Sequence, residues 1–196
     1  MNKEENIKFM KQFFEEYYEK QKAIGDALVS GVGIPEEMVA YESATSKGWA
    51  VWKLIPSTVK DEDIKELEDK WGIEFPECFK AFLTTYHHSF DGLLGRNVIH
   101  KPFKTLEFAF NPNLTANGYL PFGWDSDNYY IRCIDLSNAP HDEKCPVVQI
   151  DHEILFDLGD EYEDGLIPKE EIEQEIEQVA DNFYDYLKAI LNDEAE

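Results

Sequence analysis

In a chain of 196 residues, 43% hydrophobic and 14% aromatic, there is apolar material for one full core, which argues against disorder and against a second independent domain. The 41 acidic residues against 18 basic ones leave a formal net charge of -23, which repels phosphate backbones and anionic lipid surfaces and so argues against direct nucleic-acid or membrane binding. Cys78, Cys133 and Cys145 are an odd set without CxxC spacing, no stretch is long enough to span a bilayer, and the N-terminal region lacks a signal-peptide apolar run; the expectation is a reduced, cytoplasmic protein.

Ile7, Met10, Phe13, Phe14, Tyr17 and Tyr18 recur at three- and four-residue spacing, predicting an amphipathic helix from about Lys3 to Ala23 whose apolar face needs a partner. Gly25, Gly31, Gly33 and Pro35 interrupt it, and a short helix is predicted from Glu36 to about Ser43. Trp49 to Ile55 reads as a strand ended by Pro56. Asp61 is the expected N-cap of a helix burying Ile64, Leu67 and Trp71, and Gly72 stands where a left-handed terminal residue is wanted. Pro76 opens a second helix with Phe79, Phe82, Leu83 and Tyr86 at core spacing. Val98 to His100 and Lys104 to Phe110 read as strands. Tyr129 to Leu136 and Pro146 to Glu153 are β-branched and aromatic runs separated by turn residues, as in antiparallel pairs. From Pro168 onward, Ile172, Ile176, Val179, Phe183, Leu187 and Ile190 predict one long helix. Strands set between runs of helices, without regular βαβ alternation, indicate an α+β fold with an antiparallel β-sheet flanked by helices.

Two segments carry a family resemblance. Leu67-Glu68-Asp69-Lys70-Trp71-Gly72-Ile73-Glu74-Phe75-Pro76-Glu77-Cys78-Phe79-Lys80-Ala81-Phe82-Leu83 is similar to a segment of the SUKH superfamily, and Val147 to Glu153, a Val-rich strand ending in Asp-His-Glu, resembles a second. The resemblance spans roughly Trp49 to Leu191. Asp91-Gly92 stands in place of the usual Asn-Gly turn, and Asp127-Asn128 in place of a Gly-Asp. SUKH proteins occur in bacteria chiefly as immunity proteins of polymorphic toxin systems and in fungi as a regulator of cell-wall synthesis. The resemblance therefore implies residues 46–196 as a SUKH-like domain; residues 1–45 fall outside it as an N-terminal helical extension, whose apolar stripe is expected to pack on this domain or on a second copy. It also implies a protein that binds other proteins.

The residues themselves offer little for chemistry. On a strand Asp151 and Glu153 would share one face and His152 the other, so the tripeptide converges only if the chain bends; a structural role for His152 at a strand end is the better reading. His87, His88 and His100 have no partner in zinc register and read as loop surface. Asp125-Ser126-Asp127-Asn128 opens like a calcium loop but places Tyr129 and Tyr130 where a ligand and a Gly should stand, so turn chemistry explains it. Cys78 and Cys133 read as buried thiols. A hydrolase using Asp125, Asp127, Asp151 or Glu153 is the weakest reading, and the expectation is no catalysis, no metal and no cofactor. The candidate partner-binding residues are Trp124, Asp125, Asp127 and Tyr129 around the polar turn, with Asp157, Asp160, Glu161, Glu163 and Asp164 in the densest acidic tract, which reads as a loop. The resemblance implies a cognate toxin domain as partner, and the charge implies a basic one, such as a nuclease; a regulatory scaffold or adaptor is the alternative.

Overall fold

The computed structural model describes residues 1–25, 27–31, 33–43, 47–90, 94–125, 127–139, 142–162 and 165–194. The Asp91-Gly92 turn, Glu163 and Asp164 lie outside them. Eight helices among the described residues surround antiparallel sheets, an α+β architecture with an added N-terminal helix.

Helix α1 (Lys3–Ile24) starts at a capping box in which the Asn2 side chain accepts from the Glu5 amide and the Glu5 carboxylate accepts from the Asn2 amide. It ends at Gly25, whose φ of 92° is the left-handed conformation glycine tolerates. Strands β1 (Leu28–Ser30), β2 (Val39–Glu42) and β3 (Trp49–Trp52) form a small sheet in the order β1-β3-β2. Glu36 to Ser43 is therefore not a helix: a single 3-10 turn at Glu36–Met38 passes into β2, where pairing with β3 overrides local preference. A two-residue strand, β4 (Ile55–Pro56), pairs with β5 (Tyr86–His87).

Helix α2 (Asp61–Trp71) begins one residue earlier than an Asp61 cap requires: Lys60 holds the cap position and donates its amide to Asp63 Oδ2. Gly72 ends α2 at φ 70°. Pro76 has no side-chain donor or acceptor to cap α3 (Glu77–Thr85), and Asp142 does so from 65 residues away, accepting from the amides of Glu77 (3.1 Å) and Cys78 (2.8 Å). The α2–α3 link is fastened by Glu68, buried yet satisfied by the Phe75 amide (2.7 Å) and Lys80 Nζ (3.1 Å).

Lys104 to Phe110 is helical, not extended: α4 (Lys104–Ala109) precedes α5 (Pro112–Ala116), capped by Asn111. Val98 to His100 contributes only an isolated bridge between Val98 and Lys101. The main sheet is an antiparallel meander of β6 (Tyr119–Trp124), β7 (Tyr130–Asp135), β8 (Val147–Asp151) and β9 (Glu177–Ala180). Between β8 and β9 lie α6 (His152–Glu161) and α7 (Lys169–Glu175), and α8 (Phe183–Leu191) closes the fold. The long helix expected from Pro168 is thus three elements. Ile176 turns to extended backbone (φ -79°, ψ 131°), β9 joins the sheet edge, and Asn182 restarts a helix by accepting from the Asp185 amide.

Both faces of the main sheet are buried, which explains the near-continuous apolar runs of β6 to β8. Leu120, Phe122, Ile134 and Val147 face the larger core, built with α1, α2, α3 and α8. Tyr119, Ile131, Cys133, Val148 and Ile150 face a smaller core closed by Leu114 of α5, Leu155 of α6 and Ile172 of α7. Trp71, Phe79, Phe82 and Leu83 lie in the larger core, and Met10, Phe13 and Phe14 of α1 share it. His87 and His88 are not surface: both are wholly buried. The His87 ring spans Asn97 Oδ1 (3.0 Å) and the Thr58 amide (2.9 Å), so Nδ1 carries the proton and Nε2 accepts. All three cysteines are buried, and desolvation pushes each thiol well above its ordinary range.

Candidate functional site

The turn joining β6 to β7 is built by one carboxylate. Asp125 Oδ1 accepts from the amides of Tyr129 (2.7 Å) and Tyr130 (2.9 Å), the Asp125 amide donates to the Tyr130 carbonyl, and Asn128 takes up the left-handed conformation at φ 60°. Asp125 is therefore spent on fastening the turn, whereas Asp127 and Tyr129 stand exposed at its tip.

The chain does bend at Asp151-His152-Glu153. Asp151 ends β8 and becomes the N-cap of α6, its Oδ1 accepting from the Glu153 amide at 2.8 Å. The Tyr129 carbonyl accepts from both the backbone amide (3.0 Å) and Nδ1 (2.8 Å) of His152, so the Nδ1–H tautomer is the one held. His152 sits edge-on to Trp124, ring centroids 5.5 Å apart, which clamps the start of α6 against the end of β6.

The acidic tract is not the loop expected from its composition: Asp157, Asp160 and Glu161 lie on α6 and are exposed. Glu153, Asp157 and either Asp160 or Glu161 follow one another at helical spacing, so they form a row along one flank of α6. None of these carboxylates pairs with a cation among the described residues.

Beside this row lies a groove of about 590 Å³ between α4 and α6, floored by Trp124 and Ile131. Phe108 of α4 is 72% exposed and Phe156 of α6 67% exposed, with Phe110 partly open; the Phe108 ring lies 5.6 Å from that of Trp124. The structure thus brings Trp124, Tyr129 and Asp157 to one neighbourhood through His152 and the groove wall. Asp160 and Glu161 continue away from it along α6. Phe108, Phe110, His152, Glu153 and Phe156 complete the site and were not among its predicted members. An exposed Phe inside an acidic stretch is the signal that points to Phe156, since only a helix there turns it outward.

No group of three His, Cys, Asp or Glu residues able to hold a metal ion occurs among the described residues. Asp125 and Asp151 both commit an oxygen to backbone amides. Nor is any described helix long and apolar enough to cross a membrane.

An antiparallel sheet with helices on both faces is an α+β domain, and at the open end of one hairpin it carries a surface of aromatic side chains and carboxylates without a cation partner among the described residues. The chain belongs to the SMI1 / KNR4 family (SUKH-1), whose family model matches residues 58–189. The match takes in α2 through α7, most of α8 and the whole groove, and leaves α1 and the small sheet outside. Comparison with the curated proteins finds no match. Family membership is consistent with an immunity-protein role or a regulatory-scaffold role, both of which act by binding other proteins.

Proposed function

We propose that this chain is a cytoplasmic immunity protein that binds and neutralises a cognate bacterial toxin by covering its active site or a nearby surface, without catalysis of its own. The observation that carries the reading is the grouping of exposed Phe108, Phe156 and Tyr129 with the unpaired carboxylates of Glu153 and Asp157 on one surface. Large aromatic side chains supply most of the affinity at protein interfaces, and surrounding charge supplies rate and selectivity. A net charge of -23 favours a basic partner, and a nuclease domain, positive where it holds nucleic acid, fits that requirement. Trp124, Asp127, Tyr129, Asp157, Asp160 and Glu161 belong to the proposed contact surface, with Glu163 and Asp164 extending its charge in sequence. Asp125 acts through the turn it holds.

The test is capture of the purified product of the neighbouring reading frame and protection of cells that express it. Changing Asp160, Glu161, Glu163 and Asp164 to Lys should slow association steeply at low salt and much less at high salt, because charges farther apart than about 10 Å are screened near 0.1 M. A folded variant with unchanged association and full protection would remove the acidic tract from the contact.

A second reading, a regulatory scaffold, draws on the small N-terminal sheet, where Tyr41 and Trp49 are exposed. On that reading residues 1–45 form an extension that recruits other proteins. Proteins other than the toxin that the parent chain captures and that are lost on Tyr41→Ser and Trp49→Ser, with protection of cells unchanged, would favour it.

A further inference from the structure

The groove between α4 and α6 has walls of aromatic rings, yet among the described residues its only charged lining is Glu153 and Asp157. Neither carboxylate has a cation beside it among the described residues. A purely apolar occupant would strip water from both carboxylates and return nothing, which is costly. A second copy of the chain would bring another -23 of charge to the same place. Phosphate-bearing ligands meet the same repulsion.

One side chain matches both parts of the lining. The arginine guanidinium is planar, weakly hydrated and always charged; it stacks on aromatic faces and offers a fork of N–H donors to carboxylates. Lysine supplies the charge without the stacking plane. The groove volume of about 590 Å³ lies within the roughly 300–1,000 Å³ typical of preformed sites. His152 cannot compete for the carboxylates through Nδ1, since that N–H is committed to the Tyr129 carbonyl.

We propose that this groove is an arginine-receiving subsite: the partner inserts an arginine whose stem lies along the Phe108–Trp124 wall and whose guanidinium meets Glu153 and Asp157, with Phe156 covering the neighbouring apolar side chain. The inference rests on the reading of this surface as the partner-binding one, and names what the partner must present there.

The full chain, isotope-labelled, is titrated with the blocked pentapeptide Gly-Leu-Arg-Leu-Gly and with the same peptide carrying citrulline or lysine in place of arginine. The arginine peptide should shift the Trp124 indole signal and the amides of Glu153 to Asp157 in a saturable way. Citrulline, which keeps the shape and loses the charge, should bind at least about tenfold more weakly, and lysine should fall between. The Glu153→Gln, Asp157→Asn double variant should lose about tenfold for the arginine peptide while its citrulline affinity and melting temperature stay the same. Equal binding of arginine and citrulline, or no shift at these signals up to about 20 mM peptide, overturns the subsite. So does a double variant that loses the peptide yet captures the neighbouring-frame toxin with parental affinity, and in that case the immunity reading survives. Peptide binding as described, with no capture of the toxin, sustains the subsite and removes the toxin instead.

Discussion

Two clusters in this molecule have nearly the same ingredients and opposite surroundings. Phe14, Phe82 and Phe90 enclose His88 at ring distances of 5.0, 5.5 and 5.1 Å; Phe108, Trp124 and Phe156 line one groove with His152, whose ring meets that of Trp124, at the end of the main hairpin. The first is sealed: His88 is wholly buried and neither ring nitrogen has a hydrogen-bond partner among the described residues, so burial pushes it down to about 3 and keeps it neutral. The second is open: His152 is fixed by a carbonyl, two of the phenylalanines face solvent, and carboxylates border it. Aromatic content alone thus does not separate core from open surface. What separates them is whether the elements carrying the rings are closed by another helix, as α1 closes the first cluster, or left apart, as α4 and α6 leave the second.

The comparison breaks first on truncation. Phe14→Ala should cost about 3–5 kcal/mol, seen as a fall of roughly 10 °C in thermal melting, whereas Phe156→Ala should stay within about 0.5 kcal/mol of the parent. Equal losses would mean the groove is core. Carboxylates should divide the same way. Glu68→Ala removes a buried acceptor from the Phe75 amide and a partner from Lys80, and should cost about 3 kcal/mol in denaturant unfolding, while Asp157→Asn should be nearly silent.

The sealed histidine gives a smaller, pH-dependent signature. His88 takes a proton in the unfolded chain near pH 6.5 but in the folded chain only near pH 3, so the unfolded state binds more protons between these values. Stability is full above about pH 6.5 and falls as pH drops, with a slope from His88 approaching 1.4 kcal/mol per pH unit. His87, also held low by burial, adds to the same slope. In His88→Leu, unfolding measured between pH 7 and pH 5 should lose the His88 share, about 2 kcal/mol at pH 5; an unchanged slope would place the proton linkage elsewhere.

The sealed half of the molecule was legible in the sequence and the open half was not. Gly72, Pro76 and the spacing of Leu67, Trp71, Phe79 and Phe82 mark α2, α3 and their buried faces by local rules that tertiary structure keeps. His88 was not read as core because a neutral imidazole in an aromatic cage leaves no pattern in the chain. Around the groove, local rules and tertiary structure part. Leu106, Phe108 and Phe110 alternate as a strand would, which puts all three on one buried face; as a helix, α4 buries Leu106 and turns Phe108 out. Treating Asp157 to Asp164 as a loop likewise hid the helical row of carboxylates and the outward turn of Phe156. The stripe from Ile172 to Ile190 holds helical spacing across a strand, because β9 is set by pairing with β8; Asn182 followed by Asp185 was the local mark of the break. Trp124, Tyr129 and Asp157 were nonetheless within the sequence's reach, since polar turns and dense charge are visible without knowing the fold.

The most direct test sets affinity against stability in one variant. With Phe108→Ala and Phe156→Ala combined, binding to the product of the neighbouring reading frame, the partner under the proposed function, and thermal melting are measured on the same preparation. If the groove is where the partner docks, the dissociation constant rises by at least about 30-fold, as expected for loss of an aromatic anchor worth roughly 2 kcal/mol, and the melting temperature stays at the parental value. An unchanged dissociation constant in the folded double variant would contradict docking at the groove.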